Sequence, residues 1–62
     1  ELGETFTEYL NKVRVREAAS LLKSNNGSLA VIAAAVGYRD PYYFSKIFKK
    51  VLGISPREFR KM

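Results

Sequence analysis

The stretch Asp40-Pro41-Tyr42-Tyr43-Phe44-Ser45-Lys46-Ile47-Phe48-Lys49-Lys50-Val51-Leu52-Gly53 decides how this chain is read. Aspartate before proline marks a helix start. The Asp40 carboxylate caps the first turn, and Pro41 at N1 lacks an N–H that would have had no partner there. Phe44, Ile47, Phe48 and Val51 then recur at the i, i+3, i+4, i+7 spacing of a buried helical stripe. Gly53 stops the run. The pattern predicts a helix over 41–52 that turns Tyr42, Tyr43, Ser45, Lys46, Lys49 and Lys50 outward. Tyr43 is expected at the edge of the core, stacked on the preceding helix.

Upstream, Ser28 can cap a short helix in which Leu29, Ile32, Ala33 and Val36 take the same spacing. Gly37 interrupts it, and Tyr38-Arg39 forms the turn into the next helix. Two short helices joined by a tight glycine-containing turn make a helix-turn-helix. Downstream, Ser55-Pro56-Arg57-Glu58 is a capping box that opens a final helix over 56–61. No alternating β-branched run or hairpin dipeptide argues for strands. The expected fold is all-α.

A longer helix precedes the motif. Thr5-Phe6-Thr7-Glu8 is another capping box, good helix formers run to Lys23, and Asn25-Asn26-Gly27 ends them. Its apolar residues change face. Phe6, Tyr9, Leu10 and Val13 share one side, while Val15, Ala18, Ala19, Leu21 and Leu22 cluster roughly 160° away at about 100° per residue. A helix covering one core keeps one stripe, so this helix is expected to serve two. The segment Leu2-Gly3-Glu4-Thr5-Phe6-Thr7-Glu8-Tyr9 also echoes Leu52-Gly53-Ile54-Ser55-Pro56-Arg57-Glu58-Phe59. The second copy follows a groove-type helix, and by analogy the first should as well. Residues 1–3 are therefore read as the tail of an earlier recognition-type helix, 4–26 as a linker helix, and 27–62 as a second helix-turn-helix unit.

Charge narrows the partner. The chain holds 11 lysines and arginines against 6 acids, a formal net charge of +5. Residues 1–37 balance to zero, so the whole excess lies in 38–62. A basic block on a small folded unit suggests a polyanion, most simply nucleic acid. With no cysteine and no histidine, thiol chemistry, imidazole bases and Cys/His metal sites are excluded. Catalysis would have to rest on Glu, Asp, Lys or Tyr in a pocket that so short a chain can hardly enclose. Neither an enzyme nor a cofactor is expected. No window approaches the roughly 18 apolar residues of a membrane span and no signal-peptide pattern is present, so a soluble cytoplasmic protein is expected.

The major groove of B-DNA admits one α-helix, whose N-terminal residues reach base edges. Lys46 could donate to guanine O6 or N7, and Ser45 could bond either partner of a pair. Pro41 and Tyr42 at the tip suit a thymine methyl. Lys49 and Lys50 fall further along, at phosphate level, as does Arg39 in the turn. The helix start at Ser28 offers another phosphate site. The same motif can instead serve a protein partner, through its tyrosine-rich tip or through Val31, Ala34 and Ala35.

The run Ile32-Ala33, Val36-Gly37-Tyr38, Asp40-Pro41-Tyr42-Tyr43-Phe44-Ser45-Lys46, Phe48-Lys49-Lys50, Gly53, Pro56 and Phe59-Arg60 closely resembles the C-terminal signature of the AraC/XylS family of bacterial transcription regulators. Tyr9-Leu10, Arg14-Val15, Ala18 and Leu21-Leu22 are similar to its linker helix. The resemblance covers essentially the whole chain. It implies two helix-turn-helix units joined by a long helix, of which this chain would hold the linker and the second, homeodomain-like unit. It further implies sequence-specific promoter binding, commonly with activation, by a protein that usually carries a separate sensing or dimerisation domain. The family's base-reading positions fall on Pro41, Tyr42, Ser45 and Lys46, and its phosphate contacts on Arg39, Lys49 and Lys50. Arg14 matches a family arginine, implying a structural bridge or a phosphate contact, whereas Arg16 is read as a solvated charge. Val31 departs from the usual polar or acidic residue. With Ala34 and Ala35 it makes a patch for RNA polymerase or another domain, or plain alanine-rich filler, which is the preferred reading.

Overall fold

Each helix starts where a side chain satisfies its free N–H groups. In the computed structural model, which describes residues 3–24 and 27–62, the order is α1 (Phe6–Ser24), α2 (Leu29–Ala35), α3 (Pro41–Leu52) and α4 (Pro56–Lys61). No strand occurs among the described residues. The Thr5 hydroxyl accepts from the Glu8 N–H at 3.0 Å, and the Glu8 carboxylate accepts from the Thr5 N–H at 3.0 Å. Ser55 and Glu58 form the same reciprocal pair ahead of α4. Ser28 accepts from the Val31 N–H, and Asp40 from the Tyr42 N–H. The expected recognition-type helix and final helix coincide with α3 and α4. Within the expected linker over 4–26, the helix begins at Phe6 because Thr5 is its cap, and Asn25 and Asn26 lie outside the described residues. Of the expected tail over 1–3, Glu1 and Leu2 also lie outside them.

The turn between α2 and α3 is closed by two backbone bonds, Gly37 N–H to Ala34 O at 3.1 Å and Tyr38 N–H to Ala33 O at 2.8 Å. This is a Schellman motif, which needs a left-handed residue at its centre. Gly37 supplies it, at φ +105°. A Cβ there would also stand 3.1 Å from the Arg14 guanidinium. Gly37→Ala should therefore destabilise the fold by about 1–2 kcal/mol, read as a lower denaturant midpoint at unchanged slope. An unchanged midpoint would contradict the close packing of this turn.

The motif sends Tyr38 back into the core. The sequence reading placed this residue only in the turn, but its side chain is 5 % exposed. It opens a row of aromatic contacts: Tyr38 to Phe44 at 5.6 Å between ring centroids, Phe44 to Phe48 at 5.7 Å, and Phe48 to Phe59 at 5.6 Å. Val15, Ala18 and Leu22 of α1 and Ile32, Ala33 and Val36 join them in the core, Pro56 is also fully buried, and Ile47 and Val51 are partly buried. The first apolar stripe of α1 takes no part in this core. Phe6 is 77 % and Tyr9 56 % exposed, and Val13 is exposed beside them. The two-faced helix read from the sequence is thus present, with one face covered.

The far end is fastened by cations. Arg60 donates to the carbonyl oxygens of Leu22 (3.4 Å) and Gly27 (2.7 Å), near the C-terminal end of α1. Lys23 donates to the Met62 carbonyl and lies over the Phe59 ring. A positive charge on these carbonyls is favoured by the helix dipole as well as by the bonds. Arg60 and Lys23 are thereby engaged inside the fold.

Candidate nucleic-acid interface

With Phe44 and Phe48 fully buried, α3 can turn only its opposite face to solvent. Tyr42, Lys46, Lys49 and Lys50 lie within roughly 100° on that face. All four are exposed, Tyr42 by 85 %. Arg39 is exposed in the turn just ahead of them. None of these cations has an ion-pair partner among the described residues, where the one pair is Lys12 with Glu4, 2.6 Å apart. The nearest acid in sequence, Asp40, has its carboxylate on the Tyr42 N–H. The result is a basic surface whose edge, at Lys50, shares a cleft with Glu4 and Glu8, and whose tip is a tyrosine. Asp40, Tyr42, Tyr43 and Lys46 line a shallow notch of about 280 Å³ there.

The expected site residues are not equivalent in space. Pro41 and Ser45 are half-buried on the flank of α3, so only an edge of each faces outward. Tyr43 is 48 % exposed, and its ring lies 6.0 Å from that of Tyr38 in the turn, not on the preceding helix as expected. Ser28 is exposed, and its hydroxyl oxygen is engaged by the Val31 N–H. Val31, Ala34 and Ala35 are all exposed on α2, and Arg16 is exposed on α1.

Behind the surface lie a hydrogen bond not foreseen from the sequence and an Arg14 bridge, one of the two alternatives for that residue. The Tyr38 hydroxyl donates to Asn11 Oδ1 at 2.6 Å, and the Arg14 guanidinium lies 5.6 Å from the centre of the Tyr38 ring. Arg14 is thus a bridge from α1 to the turn. Burial raises the Tyr38 pKa above its ordinary 10.0; the Arg14 charge opposes this, and Tyr43 adds to the rise. The folded chain holds that proton more tightly than the unfolded chain does. The associated stability is complete below pH 10.0 and is lost as pH climbs through the raised value. The thermal midpoint should therefore fall above pH 10.0 more steeply in the wild type than in Tyr38→Phe. Parallel curves would show that the phenol is not buried as described.

A family model described as "Helix-turn-helix domain" matches residues 1–62. The chain is 54 % identical over 61 residues to the HTH-type transcriptional regulator YisR of Bacillus subtilis, covering 98 % of this chain and 21 % of that protein. It is 41 % identical over 59 residues to the MmsAB operon regulatory protein of Pseudomonas aeruginosa, covering 95 % and 19 %. It is 43 % identical over 56 residues to the transcriptional activator RhaR of Mannheimia succiniciproducens, covering 90 % and 20 %. The solved structure of a Listeria innocua protein of unknown function superposes with a TM-score of 0.92 at 44 % identity, over 98 % of this chain and 58 % of that one. The chain thus spans about a fifth of the length of these curated relatives. It belongs to the AraC-type helix-turn-helix family of DNA-binding transcription regulators.

Proposed function

We propose that this chain binds promoter DNA sequence-specifically by inserting α3 into the major groove. The observation that carries this reading is the exposed face of Tyr42, Lys46, Lys49 and Lys50, unpaired with any described carboxylate and adjoined by Arg39. Lys46 and Tyr42, exposed in the first half of α3, read base edges. Pro41 and Ser45 add contacts from the flank, a thymine methyl for the first and a hydrogen bond for the second. Arg39, Lys49 and Lys50 hold phosphates, which sets register without reading sequence. Ser28 adds a phosphate contact through its hydroxyl hydrogen, since the oxygen is what the Val31 N–H occupies. The role proposed for the parent protein is activation.

We further propose that α1 links the described unit to a second helix-turn-helix on its other face. Two observations support it. Phe6, Tyr9 and Val13 form an exposed apolar stripe, a surface that suits burial against another unit. The sequence echo is also an echo in shape, because Gly3 and Gly53 take φ +84° and +81°, each two residues before a formed capping box. A sensing or dimerisation domain would lie elsewhere in the parent.

Lys46→Ala tests the reading. Against a duplex selected from a random library, it should cost about 1–3 kcal/mol and relax the preference at one base pair. Equal losses on every sequence would show that Lys46 touches only phosphate.

A further inference from the structure

We infer that Tyr38 is a positioning residue for base reading, fixing the roll of α3 through its hydrogen bond to Asn11 on α1. This rests on the proposal that α3 reads DNA. The core sets how deep α3 lies, because Phe44 and Phe48 are fully buried. The hydrophobic effect behind such packing is non-directional, so it specifies the roll of a helix less sharply than a directional bond does. A short hydrogen bond is directional. The bond from the Tyr38 hydroxyl to Asn11 Oδ1, at 2.6 Å, joins positions 27 residues apart.

Arg14, one turn along the same face of α1, adds a second fastening over the Tyr38 ring and against Gly37. Only Arg39 separates Tyr38 from Asp40, whose carboxylate holds the Tyr42 N–H. The Tyr38 ring also touches those of Tyr43 and Phe44 in the first turn of α3. A displacement at Tyr38 is therefore delivered to Arg39, Tyr42 and Lys46 together. None of the three residues of this clamp needs to touch DNA.

The test separates discrimination from attraction. Tyr38→Phe keeps the ring and removes the hydroxyl; Asn11→Leu removes the acceptor, and Asn11→Asp keeps one. Each variant is titrated with the selected duplex and with a random duplex, and folding is followed by circular dichroism. Tyr38→Phe and Asn11→Leu should each lower the ratio of the two affinities by about fivefold. Random-duplex affinity and its salt dependence should change far less, because no phosphate-binding cation is removed and Lys49 and Lys50 lie beyond the displaced turn. Asn11→Asp should keep the wild-type ratio, and the double variant should lose no more than either single one.

Amide shifts of residues 39–46 in the free protein should move in Tyr38→Phe. A folded Tyr38→Phe with the wild-type ratio overturns the inference, as does one that weakens both duplexes equally. If Tyr38→Phe does not fold, Asn11→Leu carries the same comparison. A wild-type chain that cannot distinguish the duplexes overturns the reading of α3 itself, and this inference with it.

Discussion

Phe48→Ala is expected to unfold the chain at room temperature. The side chain is fully buried, with Phe44 and Phe59 rings 5.7 and 5.6 Å away. It ties the middle of α3 to α4, so the space left by its removal has no single neighbour able to collapse into it. Truncating a buried phenylalanine costs about 3–5 kcal/mol, which is about what the whole core of so small a domain supplies. Loss of the helical circular-dichroism signal without denaturant would be the sign. A cooperative transition at the wild-type midpoint would contradict the assigned buried face, and with it the choice of outward face.

DNA binding should weaken steeply with salt. If Arg39, Lys49 and Lys50 each neutralise one phosphate, log K falls against log salt with a slope of about −2.7, or about fortyfold between about 50 and 200 mM. Lys49→Ala and Lys50→Ala should each make that slope shallower by about 1 while leaving base preference intact. The contrast with Lys46→Ala tests the division of labour along the helix. A slope near zero would favour a protein partner for the tyrosine-rich tip or for the exposed Val31, Ala34 and Ala35 of α2.

What could be read in the sequence was what is local. Each cap spans four residues or fewer, from Thr5 to Glu8, Asp40 to Tyr42 and Ser55 to Glu58, so residue type and spacing are enough to find it. The two faces of α1 followed from helical phase alone. Tyr38 was different. Its position after Gly37 marks a turn, and nothing nearby shows that its hydroxyl meets Asn11 on another helix. Arg60 is the same case: its carbonyl acceptors lie 38 and 33 residues away, and in composition it counted simply as one more surface cation. The half-burial of Pro41 and Ser45 could not be assigned from α3 alone, because it depends on what packs against the flank of that helix.

The measurement that tests the central claim most directly is binding to the selected duplex with single guanines altered in one groove at a time. Replacing guanine by 7-deazaguanine removes the N7 acceptor from the major groove, and replacing it by inosine removes the amino group from the minor groove. At one position 7-deazaguanine should weaken binding by about 1–3 kcal/mol, Lys46→Ala should add nothing to that loss, and inosine should be tolerated throughout. Sensitivity to inosine with indifference to 7-deazaguanine at every guanine would contradict that claim.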